Sequence, residues 1–431
     1  MNKPLETAKK ALGMMMAKGA DSASAACSLS ETNELNVDTG VFSLMRTTLD
    51  ASLSLILIKN HRRGVVAVND LSEEAIAKAV EDCLQAAENS PPDEAWALSD
   101  IKQEKSFTRG GPADLDKLYQ RTRDMVDEIA RDYPKVVINQ LVVEHRQSRS
   151  AYVSSADIQY LSESGLYGLG MSFLAREGEV SSSFSGVDLI CDNLDKPFLE
   201  ADGFRQALKE AQMQIHTVPG KGKLEGSIVF TPSCLGDMLG SILGNFVSDS
   251  SLLEETSLWK DKLNQQVADP RLTVSSLPRH PDIVIGQNFT GEGFLAEDYD
   301  IIKDGVLRQF MLSLYAANKT GHKRAPNSSP SLVVAPGEDS LKDMIAGIQK
   351  GLLVGRFSGG QPGPNGEFSG VAKNAFLIED GKIGAAVSET MISGNLAKML
   401  NQVRGISKET IRDGSSVLPW LAVDGITISG N

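Results

Sequence analysis

An α+β fold is predicted by three features of the chain. Alternating apolar and polar residues gather in runs, helical periodicities stand beside those runs, and Pro/Gly-bearing stretches near residues 91–111 and 217–227 interrupt the pattern. Strands grouped this way favour a mostly antiparallel sheet with helices packed on it over a doubly wound parallel sheet. A chain of 431 residues is too long for one ordinary core. Two domains are expected. Residues 1–217 would place helices on an antiparallel sheet, with a linker near 91–111, and residues 222–431 would be rich in antiparallel, barrel-like strands with a few helices.

The elements follow in order. Leu5 to Lys18 carries helical spacing, and Ser22 to Asn69 reads as strands, including SLSLILI from Ser52 and GVVAV from Gly64. Ser72 to Ser90 is a helix whose acidic first turn suits the helix dipole. Ala113 to Asp132 is a second amphipathic helix, Val136 to Leu189 an antiparallel meander, and Asp202 to His216 a third helix. Beyond the break at Thr217 to Ser227, a polar helical region is expected over Leu252 to Val267 and a strand over Pro281 to Gly286. A hairpin should turn at Lys303-Asp304-Gly305 and lead into a short helix, Met311 to Asn318. The last third reads as strand and loop.

A formal charge of −13 argues against nonspecific binding of nucleic acid or of an anionic membrane, because phosphates require clustered Lys and Arg. Lys9, Lys10 and Lys18 belong to an amphipathic helix. Cys27, Cys83, Cys191 and Cys234 form no Cys-x-x-Cys pair, which suits reduced thiols in a cytoplasm. Lys18 and Asp21 break the apolar run of the N-terminus, so a cytoplasmic start without a signal peptide is expected. No apolar run approaches bilayer-spanning length.

The most informative stretch is Thr231 to Ser250. Thr231 followed by Pro232 is a helix start, and Leu235, Met238, Leu239, Ile242, Leu243 and Phe246 form one apolar stripe. Gly236, Gly240 and Gly244 form a second stripe, although each glycine costs roughly 1 kcal/mol in a helix relative to alanine. Some neighbour is therefore expected close to that face.

Together with DIIKDGVL from Asp300, GRFSGGQPGPNGEFSGVAKNAFLIEDGKI from Gly355 and ISGNLAKML from Ile392, this helix resembles the TldD/PmbA family, a two-subunit bacterial and archaeal peptidase system also described as a modulator of DNA gyrase. In its TldD-type subunits the corresponding helix carries His-Glu-x-x-x-His, which ligates zinc and supplies a general base. Here Gly240, Ser241 and Asn245 stand at those positions, and no cysteine follows Cys234 to match the family's C-terminal zinc ligand. The resemblance implies a PmbA/TldE-type, non-catalytic subunit that holds no metal itself. Zinc would sit on a TldD-type partner in a heterodimer, a homodimer being the other expectation, and the ligand would be a small or unfolded peptide. The glycine-rich signature implies a cleft or partner contact through Phe357, Ser358, Gly359, Gly360, Asn365 and Asn395.

Other readings stay open at this point. Gly355 to Gly370 invites a phosphate-loop reading but lacks the spacing of either common fingerprint, and a long loop with glycines at φ > 0, held to the sheet by Phe357 and Phe368, accounts for it. His61, His145, His216, His280 and His322 are never three to five residues apart. His61 beside Arg62 and Arg63, and His322 beside Lys323 and Arg324, read as solvated surface, and His145 and His280 as structural. Ser257-Leu258-Trp259-Lys260 and Lys319-Thr320-Gly321 match the outer elements of penicillin-recognising serine hydrolases, without the middle one. A regulatory protein that binds gyrase or a toxin–antitoxin component is the remaining alternative.

Overall fold

The computed structural model describes residues 2–220 and 222–430, which form two sheets. α1 (Asn2–Ala17) leads into two long strands, β1 (Ser22–Asp38) and β2 (Val41–Lys59), then β3 (Arg62–Val68). In α2 (Glu73–Asn89), Ser72 accepts from the Ala75 amide, and Glu73 and Glu74 occupy the first turn, as the sequence predicts. β4 (Gln103–Gly110), α3 (Leu115–Asp132), β5 (Val136–Ser154), β6 (Ile158–Glu177), β7 (Val180–Ser181), β8 (Ser185–Cys191) and α4 (Phe204–Met213) follow.

Among the described residues the first sheet has eight strands in the order β3-β2-β1-β5-β6-β4, with β7 and β8 also paired to β6. All these pairs are antiparallel except β4, which runs parallel to β6 from Gln103↔Ile158 to Gly110↔Gly165. α1 and α2 bury Ala8, Met15, Ile76 and Val80 against Leu53, Leu55 and Leu57 of β2. α3 and α4 bury Met125, Ile129, Phe204 and Leu208 against Leu141, Leu169 and Phe173.

Residues 91–111 depart from the linker expectation. Besides β4, they contain a strap that docks on the second half of the chain. The Asp93 carboxylate accepts from the Tyr315 hydroxyl and the Lys319 ammonium, each at 3.0 Å, and Trp96 stacks on Tyr315 at 3.8 Å. Arg63 lies 4.6 Å over the Trp96 ring. It is therefore not solvated surface, and partial burial lowers its pKa. Arg324, also expected in water, instead covers the Phe294 ring at 3.7 Å.

The second half begins with β9 (Thr217–Pro219), β10 (Lys223–Phe230), α5 (Pro232–Phe246), α6 (Asp249–Leu253) and β11 (Val274–Ser276). It continues through β12 (Tyr299–Lys303), β13 (Val306–Leu307), α7 (Leu314–Thr320), β14 (Leu332–Val334) and α8 (Leu341–Ala346). β15 (Lys350–Gly359), β16 (Glu367–Glu379), β17 (Lys382–Ser388), β18 (Met391–Asn395), α9 (Leu396–Met399), β19 (Val403–Arg412) and β20 (Val417–Ser429) end it. β18 pairs with both β16 and β20, so the path β20-β10-β15-β16-β18 closes on itself as a small barrel. Phe230, Leu352, Val354, Phe368, Ile392, Leu421 and Ile426 from these strands join the apolar face of α5 in one buried cluster.

The hairpin β12–β13 turns where the sequence predicts, with Asp304 at φ 49° and Gly305 at φ 75°, the left-handed pair that a tight antiparallel turn requires. Three other expectations give way. The polar helix over 252–267 stops at Leu253, because Glu255 (φ 55°) and Asn264 (φ 63°) take left-handed backbone that no α-helix continues through. Residues 281–286 form no strand; Gly286 instead passes so close to the Pro278 carbonyl that a Cβ there would lie 2.0 Å from its oxygen. Gly355 to Gly370 is mainly the β15–β16 hairpin, and in it only Gly366 has positive φ (77°).

Candidate functional site at helix α5

α5 forms as its sequence dictates. The Thr231 hydroxyl accepts from the Cys234 amide at 3.4 Å and donates to the Gly355 carbonyl at 3.3 Å, which pins the helix start to β15. All six residues of the apolar stripe, Leu235 to Phe246, are buried. The opposite face behaves otherwise. A Cβ on Gly236 would meet Leu418 Cδ1 at 3.2 Å, but one on Gly240 or Gly244 would meet nothing within 4 Å. The expected close neighbour is thus present only at the first glycine, and two turns of backbone face open space.

Ser241 donates to the Asp237 carbonyl at 3.2 Å, and Asn245 donates to the carbonyls of Ser241 (2.9 Å) and Pro362 (3.3 Å). Asn245 therefore ties the helix to the turn between β15 and β16. Asn395 holds the other side of that turn: its amide donates to the Asn365 carbonyl at 2.8 Å, while its oxygen accepts from the Ala397 and Lys398 amides and caps α9. Gly366 fits between them, its Cβ position 3.0 Å from Phe246 and 3.4 Å from Asn395. The structure thus brings Asn245, Asn365 and Asn395 together around Gly366. Phe357 sits apart from them, meeting Phe368 edge-on at 5.7 Å, with its ring over the paired Gly359 and Gly370, where a Cβ would come within 2.7 and 2.6 Å of it. Ser358 and Gly360 are exposed.

A cleft of about 550 Å³ opens beside the first turn of α5, between the two sheets. Asp188 from β8, Glu210 from α4, Asp237 from α5 and Arg356 from β15 line it, with Phe204 and Trp420 among its apolar walls. Partial loss of hydration raises the pKa of all three carboxyls. At Asp188 the nearby Asp413 adds repulsion, at Glu210 a hydrogen bond from Gln206 opposes the shift, and at Asp237 the Arg356 charge opposes it. These residues come from four distant segments and share no spacing, so only Asp237, on the polar face of α5, and Arg356, inside the glycine-rich signature, left any trace in the sequence.

Catalytic zinc needs three protein ligands, drawn from imidazole, thiolate or carboxylate. A hydrogen-only side chain, a hydroxyl spent on the helix backbone and an amide spent on two carbonyls do not fit it. Among the described residues no group of three His, Cys, Asp or Glu side chains is placed to hold a metal ion. His145 is 1 % exposed, with Nε2 3.0 Å from the Gly111 carbonyl and burial depressing its pKa, and His216 meets Glu177 at 3.0 Å. Ser257 does not lie on a helix. Its buried hydroxyl donates to the Phe246 carbonyl at 2.6 Å and accepts from the Trp259 amide, while Lys260 pairs with Glu255 at 3.2 Å. Lys319, on α7, is held by Asp93 of the strap at 3.0 Å.

Residues 223–430 match the PmbA/TldA metallopeptidase C-terminal domain. The chain is 24 % identical to the metalloprotease PmbA of Escherichia coli O157:H7 over 428 residues, covering 92 % of this chain and 91 % of that protein. It is 26 % identical to a zinc metalloprotease TldD homologue of Saccharolobus solfataricus over 60 % of this chain and 61 % of that one. In fold it is similar to TldE from Thermococcus kodakarensis (TM-score 0.83, 21 % identity, covering 98 % of this chain and 99 % of that one). A Bacteroides thetaiotaomicron protein named for modulation of DNA gyrase is similar in the same way (TM-score 0.86, 21 % identity, all of both chains). Residues 223–430 therefore carry the PmbA/TldA metallopeptidase C-terminal domain, and in sequence and fold the chain as a whole is similar to PmbA, TldD and TldE proteins.

Proposed function

We propose that this chain is the metal-free, PmbA/TldE-type subunit of a two-chain peptidase, in which a TldD-type partner supplies zinc and general base and this chain supplies a wall of the peptide cleft. One observation carries the reading. The α5 frame is complete, with its cap, its buried stripe and the asparagine-held turn beside it, yet Gly240, Ser241 and Asn245 offer neither imidazole nor carboxylate. A helix kept in detail without its chemistry suits packing and assembly. The open backbone at Gly240 and Gly244 is where a second chain or an extended peptide would approach. The serine-hydrolase alternative finds no support, because the Ser257 hydroxyl is buried and both of its bonds are structural. Binding to gyrase or to a toxin–antitoxin component gains no specific support either.

The test is purification from the native host with partners retained, followed by mass measurement and elemental analysis. A His-Glu-x-x-x-His paralogue should co-purify, and this chain, separated and mildly chelated, should hold no stoichiometric zinc. About one tightly held zinc per isolated chain contradicts the reading.

A further inference from the structure

The cleft beside the first turn of α5 holds polar groups that nothing else in it answers. Of its charged residues, Asp202 pairs with Arg412 at 3.1 Å, and the Asp413 carboxylate accepts from the Ser415 and Ser416 amides, each at 2.7 Å. Those two are spent. Among the described residues Asp188 and Asp237 have neither a hydrogen bond nor an ion pair, and the Glu210 carboxylate accepts from Gln206 alone, at 2.7 Å. The exposed Arg356 guanidinium lies near enough to Asp237 to act on its charge but makes no hydrogen bond or ion pair there. Three carboxyls and one guanidinium are left unspent.

Two further groups lining the cleft lack partners. Trp420 is 5 % exposed and its indole Nε1–H meets no acceptor. It stands two residues along β20 from Leu418, which also lines the cleft, so both side chains leave the strand on that side. The Asn374 amide donates to the Phe184 carbonyl and the Ser185 hydroxyl, both at 3.1 Å, but its buried Oδ1 accepts from nothing. Buried polar atoms left unpaired are uncommon and costly, so a bound group that answers them is favoured.

We infer that the cleft binds a basic α-amino acid, free or as the C-terminal residue of a short peptide, with Arg356 and the Trp420 indole on its carboxylate and Asp188, Glu210 and Asp237 on its cationic groups. Charge selects this occupant by elimination. An inorganic anion or a nucleotide would face three carboxyls. A linear polyamine answers those carboxyls but leaves the indole N–H and the guanidinium without an acceptor, and a neutral ligand leaves both signs unanswered. For a metal ion, no three ligating side chains gather among the described residues. A guanidinium, by contrast, matches a carboxylate in geometry as well as charge. Phe184, 52 % exposed and lining the cleft, offers a ring face to a cation. A volume of about 550 Å³ lies in the range of small-ligand sites. Gly240 and Gly244 do not line this cleft, so the proposal does not depend on the role given to their face.

Calorimetric titration of the isolated chain with L-arginine and with L-lysine should show one site per chain, and saturating arginine should raise the melting temperature. N-acetyl-L-arginine stands for a peptide C-terminus: binding equal to that of arginine assigns the peptide as the source, and weaker binding assigns the free amino acid. Agmatine, which lacks the carboxylate, and L-glutamate should each bind at least about tenfold more weakly than arginine. Asp237→Asn with Glu210→Gln should weaken arginine binding by roughly tenfold or more. Arg356→Gln should weaken it and also erase the preference for arginine over agmatine, which general loosening of the cleft would not do. Glu367→Gln, at an exposed carboxylate outside the cleft, should leave binding unaltered. No binding of either amino acid up to about 10 mM overturns the proposal. So does binding that agmatine matches, or that survives the paired carboxyl change. No metal-bearing chain is present and no cleavage is read, so failure here is separate from failure of the metal-free subunit reading.

Discussion

The barrel and the first sheet solve the same problem in opposite ways. Strand β18 bonds to β16 on one side and β20 on the other, so the barrel's path closes and α5 seals it with a continuous apolar face. The first sheet stays open, and among the described residues the distal half of β2 has no strand on its outer edge and is exposed from Ser43 to Asp50. A closed path hides its strand edges inside one subunit, whereas an open one carries part of its hydrogen bonding and apolar surface to whatever lies outside. The same contrast recurs within α5, whose buried face is complete inside the chain and whose glycine face is not.

The largest expected effect sharpens that contrast in stability. Phe246 is fully buried and packs on Trp259 at 4.9 Å, so Phe246→Ala should cost about 3–5 kcal/mol in chemical denaturation. Leu49→Lys on the bare edge should stay within about 0.5 kcal/mol. Similar losses at the two positions would break the comparison.

Gly240→Leu probes the two faces of one helix. Among the described residues nothing lies within 4 Å of the added Cβ, and leucine is the better helix former, so stability should hold or rise by up to about 1 kcal/mol. Association with the proposed TldD-type chain should weaken even so. A marked drop in melting temperature would mean that the face is covered after all.

The smallest effect is a pH dependence in the cleft. Burial raises the Glu210 pKa above its unfolded value, so folding favours its protonated form. Its contribution is fully present below the unfolded value of about 4.3 and is lost as pH rises through the folded value. Glu210→Gln should therefore stabilise the chain at neutral pH, with the gain shrinking as pH falls toward that of an ordinary glutamate. A pH-independent difference would show that the group is fully hydrated.

Local chemistry was legible in the sequence wherever neighbours along the chain decide the outcome. Ser72 and Glu73 start α2, Asp304-Gly305 closes a two-residue turn, and steps of three and four mark the buried side of α5. The rest depends on long-range pairing. Barrel closure needs β18 between β16 and β20, and the parallel seat of β4 on β6 turns a proline-broken linker into a strand. The cleft carboxyls Asp188, Glu210 and Asp237 meet only in three dimensions. PDIVIG has strand composition but finds no strand to pair with, and the polar run after Leu253 has helical spacing but is broken by left-handed backbone at Glu255 and Asn264. For the metal-motif positions the informative signal was the side chains absent from an otherwise intact helix.

The most direct test of the central claim is reconstitution. This chain, a His-Glu-x-x-x-His paralogue from the same cell, and the two together would each be assayed for cleavage of an unstructured peptide with and without chelator. The account predicts cleavage only in the mixture, abolished by chelator and restored by zinc. Robust chelator-sensitive cleavage by this chain alone would contradict it.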